Sequence, residues 1–145
     1  MRKEAPAKRR KRRSGIPTGN AGEYFVMGEL LRRGYDAQLA DRNTRDYDVL
    51  VGRPGEPMRR VQVKTVRQNP WYVSVAHFTE PELVDQVTIY VQIGKEDCRH
   101  PVRYFITRNR EVAAVVSQPP HWDGRTGFVK LADVQQFEDR WELLA

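Results

Sequence analysis

Two short strands joined by a turn rich in glycine and proline constrain the fold of this chain more than any other feature. The first predicted strand covers residues 46–51, the second covers 59–66, and Gly-Arg-Pro-Gly-Glu-Pro lies between them. This pattern predicts an antiparallel hairpin. A turn centred on Gly55 places Asp48 directly opposite Gln62, and opposed residues have Cβ atoms roughly 4.5–5.5 Å apart. We therefore expect these two side chains to meet across the hairpin.

A third polar side chain shares the face of Gln62. Side chains alternate along a strand, so Lys64 lies on the same side as Gln62 while Val63 points the other way. Asp48 offers a carboxylate and Gln62 a carbonyl oxygen to a hard cation such as Mg²⁺, with the Val63 backbone carbonyl as a further candidate ligand. Lys64 can orient or help deprotonate a water and stabilise charge on a phosphorane. These residues predict phosphodiester hydrolysis with Mg²⁺, for which Mn²⁺ would substitute.

Glu23 is the candidate fourth side chain of this site. Asn20 is a good N-cap for a helix over residues 21–33, whose apolar spacing ends before a glycine. Glu23 continues an inward stripe with Met27 and Leu30, so its carboxylate would point toward the sheet. The competing interpretation is a capping box, in which Glu23 bonds back to the amide of Asn20. Both interpretations fit the sequence.

The rest of the chain mixes predicted strands and helices. Apolar and β-branched residues predict strands at 35–40, 87–93 and 102–107, the second of them buried on both faces. Weaker signals indicate a strand at 71–75, a helical turn at 81–85, and helices at 110–117 and 134–141. Mixed strands with flanking helices predict an α/β sandwich around one central mixed sheet.

The helix with Glu23, then Asp48, then the run Gln62-Val63-Lys64 resembles the PD-(D/E)XK nuclease superfamily over residues 20–107. The resemblance implies a restriction-endonuclease-like fold and Mg²⁺-dependent DNA cleavage, similar to Holliday junction resolvase-like and type IV restriction nucleases. It implies catalytic roles for four residues, Glu23, Asp48, Gln62 and Lys64, and a metal site formed by Glu23, Asp48, Gln62 and the Val63 carbonyl. An acid is usual where this chain has Gln62, and a proline is usual where it has Tyr47. The missing carboxylate predicts weaker ion binding.

Positive charge is concentrated at the N-terminus. The formal net charge is +6, yet residues 1–14 hold eight Lys or Arg against one acid, so they carry +7 and the remainder carries −1. We predict that residues 1–17 form a basic, disordered arm that either binds phosphates or is a solubilising leader. The candidate phosphate contacts in the arm are Arg9, Arg10, Lys11, Arg12 and Arg13. Near the site, the candidate contacts to the DNA backbone are Arg42, Arg45, Arg59, Arg60 and Arg67, with a solvated surface as the alternative.

Residues 18–145 are expected to form a single nuclease-like domain. Cys98 is the only cysteine, so no internal disulfide forms, and no apolar stretch approaches the ~20 residues of a membrane span. These features predict a cytoplasmic protein without membrane association. The three histidines lie without ligand spacing and are given no role.

The leading hypothesis is a metal-dependent DNA endonuclease that acts on branched or otherwise structured DNA. DNA is favoured over RNA as the partner, and a homodimer would supply two sites for paired cuts. One alternative is a nuclease-fold module that binds DNA or RNA with weak or no turnover, motivated by Gln62. Another is a protein-interaction domain with a basic leader.

Overall fold

A five-stranded sheet forms the centre of the computed structural model, which describes residues 15–41 and 43–145. The helices are α1 (Ile16–Arg32), α2 (Ala76–Thr79), α3 (Asn109–Val112) and α4 (Leu131–Val134), with 3₁₀ helices at Ala113–Val115, Gln135–Phe137 and Trp141–Leu144. The strands are β1 (Asp36–Leu39), β2 (Val49–Gly52), β3 (Arg59–Val66), β4 (Trp71–Ser74), β5 (Val87–Gln92), β6 (Arg103–Arg108) and β7 (Thr126–Val129).

The central sheet is mixed, with the strand order β1-β2-β3-β5-β6. Strands β1, β2 and β3 form an antiparallel meander. Strand β5 pairs parallel with β3, and β6 returns antiparallel to β5. Strands β4 and β7 form a separate antiparallel pair. This arrangement confirms the predicted α/β architecture with a central mixed sheet.

Helix α1 covers one face of the central sheet. Val26 and Leu30 of α1 are fully buried against Val61 and Val63 of β3. The C-terminal Trp141 belongs to the same cluster. Strand β5 is buried along almost its whole length, as expected for an internal strand with both faces covered.

The opposite face is covered by β4, β7 and the short helices. Trp71 of β4 is fully buried and meets the rings of Tyr90 and Phe105 edge-on, with centroids 5.5 and 5.7 Å away. Its indole N–H donates to the Val91 carbonyl at 3.0 Å, so the buried donor is satisfied. The layer holding β4 and α2 is thereby fixed against the sheet.

A close approach between α1 and β3 depends on a glycine. A Cβ added at Gly22 would lie 1.7 Å from Thr65 Oγ1, well inside van der Waals contact. Only glycine lets the helix backbone come this near the strand. The next residue in the helix is Glu23, so this contact holds the part of α1 that carries Glu23 beside β3.

The first helix begins earlier than the sequence indicates. It starts at Ile16 with Gly15 as N-cap and proline in its first turn, a position where proline is well tolerated. Residues 16 and 17, predicted to belong to the basic arm, are helical, while residues 1–14 lie outside the described part of the chain. Asn20 is inside the helix, so the capping box with Glu23 is wrong. No helix among the described residues is long and apolar enough to cross a bilayer.

Three other elements differ from the sequence prediction. The sequence predicts a helical turn at residues 81–85, but these residues form turns without a helix. The helix in this part of the chain is α2, which ends before them. The expected closing helix over 134–141 is interrupted at Asp139, which adopts a positive φ of 56°, and short 3₁₀ turns replace it. Strand β7 was not predicted, because it is short and contains Gly127, which favours strand structure weakly.

Candidate active site

The hairpin of β2 and β3 has the predicted register. Val49 pairs with Val61, and Val51 pairs with Arg59, so the turn is centred on Gly55. The ladder ends at the Val49 pair, one residue after Asp48. Asp48 therefore lies where the two strands begin to separate, with its side chain beside the middle of β3.

Three hydrogen bonds fix Asp48 against β3. Its backbone N–H donates to the Val61 carbonyl at 2.9 Å. Its Oδ2 accepts the Val63 backbone N–H and the Gln62 Nε2–H, each at 2.8 Å. The N–H and C=O of one strand residue point toward the same neighbouring strand, so the Val63 carbonyl lies at this same edge. The predicted meeting of Asp48 with Gln62 is present in the structure.

Gln62 meets Asp48 as a hydrogen-bond donor. The side chain is 8% exposed, and its amide nitrogen faces the carboxylate. A neutral amide can donate to a carboxylate, whereas an ionised acid at this position would repel it. The structure therefore gives Gln62 a role in orienting Asp48, and its role as a metal ligand through Oε1 stays a prediction.

Burial changes the protonation energetics of Asp48 and Lys64 in opposite directions. Burial raises the pKa of the Asp48 carboxyl, and the Val63 amide and the charge of Lys64 oppose that shift. Burial lowers the pKa of the Lys64 ammonium, opposed by the charge of Asp48. Each charge is expensive to bury alone and is partly compensated by the other. A half-buried ammonium beside a carboxylate is a chemically unusual pair for a protein surface.

Glu23 reaches the same cleft from α1. Its side chain lies near Asp48 and contributes to lowering the pKa of that carboxyl, against the larger effect of burial. A cleft of about 340 Å³ is lined by both carboxylic acids together with Asn20, Asp41, Thr44 and Tyr47. The other acid of the helix, Glu29, instead forms ion pairs with Arg32 and Arg33 at 2.5 and 3.3 Å. Glu23 is therefore the acidic side chain of α1 that lines this cleft with Asp48, and its role as a metal ligand stays a prediction.

His77, for which the sequence predicts no role, also lies near Asp48 and Lys64. It is buried on α2, with Nε2 3.5 Å from Asp46 Oδ1. Burial and the positive charge of Lys64 lower the pKa of His77, while Asp46 raises it. No sequence signal identifies His77, because its distance from Asp46 depends on how α2 packs on the sheet.

The loop before Asp48 is anchored by contacts of Asp46. This residue has a positive φ of 70°, which is uncommon outside glycine. Its side chain faces His77, and its carbonyl accepts a hydrogen bond from the Gln86 side chain. His77 of α2 and Gln86, the residue before β5, thus contact the backbone segment two residues before the candidate metal ligand.

The predicted basic contacts are dispersed. Arg45 is exposed in the loop before Asp48, and Arg67 lies beyond the end of β3 in a different cleft. Arg60 stacks on the ring of Tyr47 with 5.0 Å between guanidinium carbon and centroid. Five arm residues and one loop residue lie outside the described residues: Arg9, Arg10, Lys11, Arg12, Arg13 and Arg42.

The donor set of the cleft fits a divalent ion held by few protein ligands. Within residues 15–41 and 43–145, no three His, Cys, Asp or Glu side chains come together as a metal cluster. Glu23 and Asp48 nevertheless bring two carboxyl groups to one cleft, and these repel each other once both are ionised. Mg²⁺ is commonly bound through one or two carboxylates, with waters and substrate phosphates completing the shell. The residues present satisfy that requirement.

Comparisons with known proteins agree with this architecture. No protein-family model and no curated protein matches the chain in sequence. Among solved structures, it is similar to a Holliday junction resolvase of Archaeoglobus fulgidus, with a TM-score of 0.57, 14% identity, and coverage of 87% of this chain and 94% of that one. It is also similar to a bacterial homing endonuclease, with a TM-score of 0.52, 13% identity and 90% coverage of both chains. The chain has a restriction-endonuclease-like nuclease fold.

Proposed function

We propose that this protein is a metal-dependent DNA endonuclease that hydrolyses phosphodiester bonds. The observation that carries the proposal is that Glu23 and Asp48 line one cleft where β2 and β3 separate, with the charge of Lys64 close enough to Asp48 to oppose the rise in its pKa that burial causes. A carboxylate pair beside a half-buried ammonium is suited to phosphate chemistry, since it combines anionic ligands with a cation that can face developing charge. Branched or otherwise structured DNA is the proposed substrate class.

In this mechanism the protein residues divide the work of orienting, binding and proton transfer. Asp48, Glu23 and the Val63 carbonyl would hold Mg²⁺ or Mn²⁺, with the Gln62 carbonyl as a further ligand. When bound, such an ion polarises a phosphoryl oxygen and acidifies a water. Lys64 orients the attacking water and stabilises negative charge on the phosphorane. Because burial lowers its pKa, Lys64 gives up a proton at a lower cost than an exposed lysine.

The direct test is a cleavage assay on purified protein with linear, supercoiled and branched DNA in Mg²⁺ or Mn²⁺. Asp48→Asn and Lys64→Met should each abolish cleavage while the protein still unfolds cooperatively. Asp36→Asn is the matched control, because Asp36 is exposed on β1 at the other end of the hairpin. Cleavage that survives unchanged in Lys64→Met would rule out the proposed mechanism.

The second candidate function is a nuclease-fold module that binds DNA or RNA without turnover. Gln62 favours it, because a neutral amide facing Asp48 removes one negative charge from the ion site. Titration with Mn²⁺ separates the two functions. Ion binding that Asp48→Asn abolishes supports the nuclease, whereas tight nucleic-acid binding without ion binding supports the module. The homodimer, the preference for DNA over RNA and the cytoplasmic location stay predictions.

A further inference from the structure

Basic side chains lie at one end of the central sheet, where three neighbouring strands begin or end, away from the Asp48 cleft. Arg67 follows the end of β3, Lys95 follows β5, and Arg103 begins β6. The pairing continues at this end, because Gly94 N–H donates to the Arg67 carbonyl at 2.9 Å and Gln92 pairs with Arg103. The three cations are therefore placed side by side by the sheet itself.

These residues line a cleft of about 540 Å³ that we call the basic cleft. Its charged walls consist of Arg67, Lys95, Arg99, Arg103, Asp97 and His100. Four of these side chains are permanently cationic and one is acidic. Even with Glu138, which pairs with Arg103, the positive charges exceed the negative ones by two. An excess of this sign in a concave site attracts anions.

Two of the arginines are held in fixed orientations. Arg67 Nη1 donates to the Gly94 carbonyl at 3.2 Å. Arg103 donates from Nε and Nη2 to Glu138, each at 2.8 Å, and its guanidinium carbon lies 5.1 Å from the centroid of Phe105. A guanidinium has five N–H donors, so each keeps donors beyond these bonds. Guanidinium groups held in this way can donate their remaining N–H groups to phosphate oxygens.

The basic cleft and Lys64 lie on the same face of the sheet. Val66 packs into the cluster around Trp71, and Lys64 shares its face because side chains alternate. Arg103 stacks on Phe105, which belongs to the same cluster. Arg67, at the start of the cleft, lies three positions after Lys64, a distance of about 10 Å along extended backbone. Phosphates of one DNA strand recur every ~3.4 Å of helix axis, so this spans roughly three nucleotides.

We propose that the basic cleft binds backbone phosphates of duplex DNA a few nucleotides from the phosphodiester at Asp48. This inference rests on the proposed nuclease function, which supplies the DNA and its position. The contacts are to phosphate and carry no base recognition, so they fix the register of the duplex on the protein.

The test is the salt dependence of duplex binding by the full chain, measured by fluorescence anisotropy in EDTA so that no cleavage occurs. The variant K95Q/R99Q removes two charges from exposed side chains that anchor no element. The control R32Q/R53Q makes the same charge change at the end of α1, which covers the other face of the sheet, and in the β2–β3 turn. Each lost phosphate contact should reduce the log–log salt slope by about 0.9, so K95Q/R99Q should lower it by about 1.8.

The outcomes separate this inference from the nuclease proposal. A shallower slope in K95Q/R99Q with an unchanged slope in R32Q/R53Q supports the basic cleft, whether or not the protein cuts DNA. Equal salt slopes for the two variants would overturn the proposal that the basic cleft binds phosphates, even if the protein cleaves DNA efficiently. Absence of duplex binding at low salt also overturns it, whatever the cleavage assay gives.

Discussion

The carboxylate of Asp48 takes the place of a backbone partner for Val63: the Val63 N–H donates to Asp48 Oδ2 at 2.8 Å. The β2–β3 ladder has already ended at the Val49–Val61 pair, so a side chain satisfies this strand amide. Gln62 donates to the same oxygen at 2.8 Å. Asp48 is therefore oriented by two donors of the neighbouring strand, independently of any ion or substrate.

Gln62→Glu should lower the stability of the metal-free protein and raise its affinity for a divalent ion. The substitution removes a donor to Asp48 and sets a second carboxylate beside it, so the free energy of unfolding without metal should fall by about 1–3 kcal/mol. The added carboxylate should bind a divalent ion more tightly, and binding to the folded state raises stability. Thermal unfolding with and without Mn²⁺ should show a larger Mn²⁺-induced rise in Tm for Gln62→Glu than for the wild type.

Gln62→Leu is the control for this prediction. It removes the donor to Asp48 but adds no charge, so the Mn²⁺-induced rise in Tm should not exceed that of the wild type. An equal response of Gln62→Glu and Gln62→Leu to Mn²⁺ would show that residue 62 does not contact the ion.

Gly22→Ala should destabilise the protein, because the new methyl group would collide with Thr65 Oγ1. Overpacking of this kind costs typically about 1–3 kcal/mol. Gly28→Ala in the same helix is a matched control, since nothing lies within 4 Å of a Cβ built there. That control should be neutral or stabilising by up to about 1 kcal/mol. Urea denaturation measures both, and equal effects would mean that the α1–β3 approach does not require glycine.

The hairpin of the site was predictable from the sequence, whereas its surroundings were not. A turn centred on Gly55 and strict alternation of side chains are local properties, and they placed Asp48 beside Gln62 correctly. The predicted start of α1 was wrong: Asn20 is the stronger N-cap by residue type, yet the helix extends through it back to Ile16, with a proline in its first turn. His77 and Gln86 approach Asp46 only through tertiary packing of distant segments, so no local pattern reveals them.

His77→Ala should lower turnover more than DNA binding. The substitution releases the Asp46 side chain and loosens the loop immediately before Asp48. A displacement of about 1 Å at a reacting group can cost on the order of 100-fold in rate, so a loss of roughly 10-fold or more is expected. His121→Ala is the control, because His121 is exposed. Single-turnover cleavage and anisotropy in EDTA measure the two effects, and equal losses in both would indicate general unfolding.

Lowering the pH should weaken the ion pair between Glu111 and Arg140, which attaches the C-terminal segment. Arg140 donates to its two carboxylate oxygens at 2.9 and 2.5 Å, and this pairing lowers the Glu111 pKa below its ordinary value of 4.5. Because the folded pKa is the lower one, the stabilisation is fully present above about pH 4.5 and is lost as the pH falls through the folded pKa.

Glu111→Gln should therefore lower the free energy of unfolding at pH 7 by about 0.5–1 kcal/mol, a modest figure because both side chains are partly exposed. The gap between wild type and variant should narrow as the pH falls through the folded pKa of Glu111, since the wild-type carboxylate then also becomes neutral. Glu82→Gln, at an exposed turn position, controls for a general loss of negative charge. Urea denaturation at a series of pH values measures the gap, and a gap that stays constant down to acid would mean that the pairing with Arg140 does not depend on the charge of Glu111.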